Sequence, residues 1–224
     1  MRIEKGASNF YWLSEGGRKM LATRNLAPGR RVYGERLLKD GSTEYRVWDP
    51  NRSKLAAAIM KGLREVPIKE GSHVLYLGAA SGTTSSHVSD IVGKDGTVYC
   101  VEFAPRSMRD LVTVCESRPN MLPLLADARQ PQEYADKLEA VDVIYQDVAQ
   151  PDQSAILINN AKLFLKAGQY ALIAVKSQSI DVTKKPSEVY ETVLAEFEPH
   201  FEVVEKLGLE PYEKDHLFLL LRVK

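Results

Sequence analysis

From residue 74 onward, short apolar runs that close on a small or charged residue alternate with segments of helical spacing. Val74-Leu75-Tyr76-Leu77 breaks on Gly78-Ala79-Ala80-Ser81-Gly82 and then meets Thr83-Thr84, which reads as strand, tight loop and helix start. The pattern recurs at Val98 to Glu102, Leu124 to Asp127, Val141 to Asp147 and Ala171 to Lys176. Helices are predicted after Gly82, after Pro105 (Arg106 to Arg118), after Pro131, from Pro151 to Lys166 and after Pro186, with proline suited to the first helical position. Gly168 suits the C-cap of the longest. The tail, Phe201 to Val204 and His216 to Leu221, gives two strands with no helix between them, hence an antiparallel hairpin at one sheet edge.

The front of the chain is patterned differently. Phe10 to Leu13, Met20 to Thr23, Arg31 to Tyr33 and Tyr45 to Trp48 are short apolar or aromatic runs separated by Gly16-Gly17, Pro28-Gly29 and Asp40-Gly41. This spacing predicts a small antiparallel β unit whose thin core leans on the α/β part of the chain. A helix then starts near Asp49 to Lys54 and runs through Leu63, with Gly62 weakening its end. Lys54 falls in its first turn, where a cation opposes the helix dipole by some tenths of a kcal/mol, on the order of 0.3 to 1. It either reaches into water or serves a nearby negative group. The expected organisation is a small N-terminal β domain, 1–52, and an α/β domain, 53–224.

In a parallel sheet the charged strand ends converge on one edge. Gly78 and Gly82 permit a sharp turn and close approach of a ligand to the main chain, and Glu102 stands where an acid bonds ribose hydroxyls. The loop lacks G-x-G-x-x-G spacing, and no G-K-[ST] follows, so a pyrophosphate is not expected. An adenosine without phosphates fits better. S-adenosylmethionine is such a ligand, with Glu102 on the ribose, Asp127 on the adenine amine and the loop on the methionine end. Seven strands ending in a hairpin form the usual Rossmann-like architecture of S-adenosylmethionine-dependent methyltransferases. The competing reading is an ordinary βα turn with helix-capping acids, against which the four charged strand ends in series count.

Methyl transfer to a hydroxyl needs an aligned acceptor oxygen and removal of its proton. Asp147 can hold the hydroxyl and a lysine, and Lys176, in a charged and partly desolvated pocket, can take the proton. The alternatives are a helix cap before Pro151 for Asp147 and a solvent-facing strand end for Lys176.

Composition is globular, with 44% hydrophobic and 27% charged residues in 224. No apolar run approaches the roughly 18 residues of a membrane span, and the first residues, with Glu4 and Lys5, do not read as a signal peptide. A soluble, cytoplasmic protein is expected, with no membrane association. Cys100 and Cys115 lack C-x-x-C spacing and the four histidines are scattered, so no disulfide framework and no metal site are expected. The net charge of zero hides an asymmetry: residues 1–64 hold 14 Lys and Arg against 6 Asp and Glu, and the remaining 160 hold 16 against 24. A basic front is the footprint of a polyanion partner; a solvated face with no partner is the alternative.

Four stretches carry a family resemblance: Leu77 to Thr84, Arg52 to Ile59, Asp147-Val148-Ala149-Gln150-Pro151, and Glu210 to His216. In their order along the chain they are similar to the signatures of fibrillarin, the methyltransferase of box C/D guide ribonucleoproteins. The likeness runs from about Leu21 to the C-terminus. It implies an RNA 2′-O-methyltransferase whose cofactor lies on Thr83, Thr84, Glu102, Phe103, Asp127, Ala128 and the segment Asp147, Val148, Ala149 and Gln150. It also implies a Lys-Asp-Lys-His set at Lys54, Asp147, Lys176 and His216. The partners implied are a box C/D guide RNA with its rRNA or tRNA target, a Nop-family scaffold protein and a kink-turn-binding protein. The chain resembles the short archaeal form without a Gly-Arg-rich extension, so nucleolar targeting is not implied. Gln169 stands where the family tends to have a second glycine. The alternatives are a protein methyltransferase acting on a glutamine amide, a non-catalytic ribonucleoprotein subunit and, more distantly, a nicotinamide dehydrogenase.

Overall fold

The computed structural model describes residues 1–224. Its first five strands, β1 (Arg2–Lys5), β2 (Phe10–Glu15), β3 (Arg18–Arg24), β4 (Leu37–Asp40) and β5 (Thr43–Val47), form an antiparallel sheet in the order β1-β2-β3-β5-β4. Gly16 and Gly17 both take positive φ, 56° and 78°, which makes the two-residue hairpin turn whose twist matches its flanking strands. Leu13, Ala22 and Tyr45 are the whole of this sheet's own buried cluster. Phe10, Leu21 and Trp48 instead join the core of the following domain, as the thin pattern predicts.

Residues 31–33 do not form a strand. The buried Glu35 carboxylate accepts the amides of Val32 and Tyr33 and bends the chain into a loop. A local side-chain acceptor here replaces the ladder that an apolar run would otherwise join.

The second sheet contains β6 (His73–Leu77), β7 (Thr97–Glu102), β8 (Met121–Leu125), β9 (Val143–Gln146), β10 (Tyr170–Lys176), β11 (Phe201–Gly208) and β12 (His216–Val223). Its order is β11-β12-β10-β9-β6-β7-β8, parallel throughout except for the β11–β12 hairpin, which meets β10 antiparallel. The predicted seven-stranded sheet with an edge hairpin is what forms. Side chains alternate between two cores with the strand period of two. Val74 and Tyr76 face α1 (Lys54–Met60), α2 (Thr83–Val92) and α3 (Pro105–Cys115), while Leu75 and Leu77 face α4 (Gln153–Phe164) and α6 (Pro186–Phe197). A short α5 (Ser177–Ile180) follows β10. No helix is long and apolar enough to cross a membrane.

Three local expectations are corrected. The segment after Pro131 makes two 3-10 turns, Pro131–Glu133 and Ala135–Lys137, and no α-helix. It is too short to offset helix nucleation, and Tyr134 is pinned in the core by its hydroxyl on Asn160. Gly168 does not cap α4, whose C-cap is Leu165; with φ 86° it turns the chain into β10 and donates its amide to Val223 O. Helix α3 stops at Cys115, ahead of Arg118, because Pro119 disfavours a helical residue before it. Gln169 closes the same turn as Gly168 with its side chain, accepting from Lys166 N and donating to Val141 O.

Candidate active site

The sheet reverses its winding at β6, between β7 on one side and β9 on the other, and a crevice opens there at the strand ends. Gly78 sits at its floor with φ 82°, and a Cβ on it would lie 2.6 Å from the Asp147 carbonyl oxygen. Only glycine lets the β6 loop and the β9 end approach so closely. Both Gly78 N and Ala79 N donate to Val101 O. Gly82 is the N-cap of α2 at φ 92° and has no side-chain cap, so the first amides of that helix stay open toward a polar ligand.

Glu102, 7% exposed, is fixed at the end of β7. Its Oε2 accepts Ala80 N at 2.9 Å and its Oε1 accepts Ala104 N at 2.8 Å. Each oxygen keeps lone-pair capacity for a diol. A cavity of about 210 Å³ lies beside it, lined by Gly78, Glu102, Phe103, Ala128, Asp147, Val148, Ala149 and Gln150 among others. The Phe103 ring is 58% exposed at the mouth, and Gln150 Oε1 is buried without a partner. An orphaned acceptor, a fixed carboxylate, an exposed ring and a floor without a side chain fit an adenosine.

Three expected cofactor residues stand outside this cavity. Thr84 donates its hydroxyl to Ser53 Oγ at 3.0 Å, and Thr83 lines a separate cleft on the α3 side. Asp127 is engaged by Arg129, whose guanidinium donates to both carboxylate oxygens. That hydrogen bonding outweighs partial burial and holds the Asp127 carboxyl below its ordinary range.

The charged groups of the expected set come from three directions. Ser53 caps α1 by accepting Ala56 N, which places Lys54 in the first turn, and Lys54 Nζ lies 3.0 Å from Asp147 Oδ2. Both side chains are about one-fifth exposed, at 21% and 20%. Lys176 and His216 are direct partners across β10 and β12. Ser177, the next residue, donates both its amide and its hydroxyl to Asp215 O, locking the hairpin connection to the end of β10. His216 Nδ1 is 2.7 Å from Lys214 O, while its buried Nε2 has no partner. With Nδ1–H donating to that carbonyl, Nε2 is left as an acceptor. Beneath Asp147, the rings of Tyr76 and Tyr145 pack with centroids 4.6 Å apart. Burial above all, with the Asp147 charge adding to it, pushes both phenols well above their ordinary range, so they stay neutral.

A second cluster joins the two sheets and has no counterpart in the sequence expectations. Arg46, fully buried on β5, donates to Glu35 at 2.6 Å, to Asp90 at 2.8 Å and to Ser86. Arg118 meets the other Asp90 oxygen at 2.6 Å and also bonds Asn25 Oδ1. Burial alone would raise the Glu35 carboxyl, but Arg46 and the amides it accepts hold it below its ordinary value. His87 stacks on Trp48 at 4.8 Å, with Nδ1 2.7 Å from Thr23 Oγ1 and Nε2 2.9 Å from the Tyr33 hydroxyl. Thr23 gives its single hydroxyl proton to Asp90, so His87 Nδ1 carries the hydrogen and donates to Thr23. Burial, then Arg46 and Arg118, drive His87 well below its ordinary pKa. The one sequence signal was the run of small and polar residues along α2, whose Ser85, Ser86, Ser89 and Asp90 are all buried.

A doubly sided parallel sheet with an edge hairpin, whose switch-point crevice holds a carboxylate and no phosphate loop, belongs to the class of S-adenosylmethionine-dependent methyltransferases. Within that class the chain belongs to the fibrillarin family, whose model matches residues 1–224. It is 57% identical over 213 residues, 95% of this chain and 94% of the relative, to a protein of Thermococcus onnurineus named fibrillarin-like rRNA/tRNA 2′-O-methyltransferase. Aeropyrum pernix fibrillarin, solved with natively bound S-adenosyl-L-methionine, matches with TM-score 0.91 and 48% identity over 99% of this chain and 98% of that one. A fibrillarin from a fibrillarin/Nop5p complex matches with TM-score 0.87 and 42% identity over 97% and 98%.

Proposed function

We propose that this chain is the catalytic subunit of a box C/D guide ribonucleoprotein and methylates the 2′-hydroxyl of ribose in rRNA or tRNA. Residues 1–52 would form the domain that faces RNA and partners, and 53–224 the catalytic domain. The observation that carries the reading is the Lys54–Asp147 pair, 3.0 Å apart at the mouth of the cofactor crevice. The cofactor, S-adenosylmethionine, supplies an electrophilic methyl on a sulfonium. Glu102 would hold its ribose, and Phe103 and Gln150 its adenine. Lys54 ties up Asp147 Oδ2 and leaves Oδ1 to accept the hydrogen bond of the incoming hydroxyl, which fixes the oxygen in line. Lys176, in its unprotonated form, would receive the proton at Nζ, and His216 Nε2 would position the neighbouring groups by accepting a hydrogen bond.

The named relatives and the Nop5p complex support a Nop-family scaffold, with a guide RNA and a kink-turn-binding protein completing the particle. Target choice would then lie in base pairing. The test is transfer of labelled methyl from S-adenosylmethionine to a guide-complementary RNA in the reconstituted particle, beside the same RNA with a single 2′-deoxy target. Label on the hydroxyl-bearing RNA alone is expected. Equal label on both, or label only on protein, would overturn the reading.

A further inference from the structure

We infer that a trench over Tyr33 and Arg52 is the track for the RNA strand that carries the reacting ribose, with Arg30, Arg31 and Arg52 holding its phosphates. The inference rests on the RNA reading of the active site. Two cavities meet there. One, about 430 Å³, lies between the N-terminal sheet and α1 and is walled by Lys19, Met20 and Trp48. The other, about 570 Å³, lies between the loop of residues 30–33, α3 and Ser81 to Thr83. Tyr33 and Arg52 line both, and the Arg52 guanidinium lies 5.7 Å from the centre of the Tyr33 ring.

The guanidiniums of Arg30, Arg31 and Arg52 make no ion pair and no hydrogen bond within the chain, whereas Arg46, Arg118, Arg129 and Arg222 are all engaged by carboxylates. Three guanidiniums without a carboxylate partner at one trench present the donor geometry that phosphate oxygens accept. Asp110 and Glu116, on α3 and its C-cap, line the second cavity as well and pair with none of the three arginines. Tyr33, the aromatic shared by both cavities, lies beside Arg52, so a stacking face and a cation stand together in the trench. In the first cavity, Trp48 is 1% exposed and its Nε1–H has no acceptor. Thr83, which lines the second cavity, precedes Thr84, whose hydroxyl bonds Ser53 inside the fold next to Lys54, the partner of Asp147.

The test uses the particle reconstituted with guide RNA and the Nop-family partner. Binding of a target RNA with a 2′-deoxy reactive site is followed against salt, and single-turnover methyl transfer is followed on the hydroxyl-bearing RNA. Arg52→Ala is expected to weaken RNA binding about tenfold and to raise the RNA concentration for half-maximal rate by the same factor, with the saturating rate unchanged. The slope of log affinity against log salt should fall by about 0.7 to 0.9 for Arg52→Ala, and by about twice that for the Arg30→Ala/Arg31→Ala double variant. Melting temperature and calorimetric affinity for S-adenosylmethionine should stay as they are, and Lys162→Ala on α4 should change nothing. Unchanged slope and half-saturation in the arginine variants, while the unaltered chain methylates only the hydroxyl-bearing RNA, would remove the track and leave the active-site reading standing. No transfer by the unaltered chain would remove both.

Discussion

Two groups of opposite charges, one joining the N-terminal sheet to the α/β domain and one within that domain at the crevice, are built to different rules. In the Arg46–Glu35–Asp90–Arg118 cluster every carboxylate is fully buried, and the two acids and two guanidiniums bond one another, serines, an asparagine and a threonine. In the Lys54–Asp147 pair one oxygen meets one ammonium, both side chains about one-fifth exposed, and the other oxygen has no partner within the chain. In the first cluster every carboxylate oxygen is bonded and only the Arg118 Nε–H lacks a partner, whereas in the second one carboxylate oxygen is left without a partner in the chain. Buried charges left half-paired are costly, so both carboxylates of the first cluster are paired at each oxygen. The second can remain open because water reaches it.

Breaking each cluster should therefore fail in a different way. Asp147→Ala should lower methyl transfer about 10²- to 10⁴-fold in a single-turnover assay while shifting the melting temperature little. A comparable loss of stability would show that the pair holds the fold instead. Asp90→Ala should do the reverse. It leaves Arg46 and Arg118 facing each other without their shared acid, at a cost of about 3 to 5 kcal/mol in urea unfolding. The smallest expected effect comes from pH. His87 is held below its ordinary pKa in the native state, so below about pH 6.5 the unfolded chain binds a proton that the native chain refuses. Its contribution is complete above that pH and declines below it, at about 1.4 kcal/mol per pH unit. Unfolding of the unaltered chain and of His87→Gln between pH 7 and pH 5 measures this as the difference between the two slopes. Parallel slopes would mean that His87 is protonated in the native state.

The α/β sheet was legible because its strands are short apolar runs and four of the strand ends carry a charge, signals that sit within a few residues of one another. Lys54 was visible as a cation in the wrong turn of a helix, but its neighbour is 93 residues away, and no spacing rule reaches that far. Arg46 was not legible at all. In Thr43-Glu44-Tyr45-Arg46-Val47 the alternation reads as polar side chains turned to water, whereas both Glu44 and Arg46 are buried, Arg46 against Ser86 and Asp90 of α2. Tertiary contact overrode the period-two rule because the covering helix surface is itself polar. Asp127 shows the same limit from the other side. Its place after β8 could be read, but its engagement by Arg129 two residues on depends on a turn the pattern does not encode.

The reach of the buried cluster bears on how the protein is made. Thr23 bonds Asp90, 67 residues further along, and Asn25 bonds Arg118, 93 residues further along. Chains emerge from the ribosome with their first residues leading. The strands holding Thr23 and Arg46 are therefore born first, yet they wait for Ser86 and Asp90 of α2, and Asn25 waits for Arg118, which follows α3. During that interval the basic front of the chain is exposed and incomplete, and it closes only once the domain that binds the cofactor has begun to form. The oldest part of each new molecule is thus among the last to be finished, and a truncated product ending before Arg118 has no means of completing it.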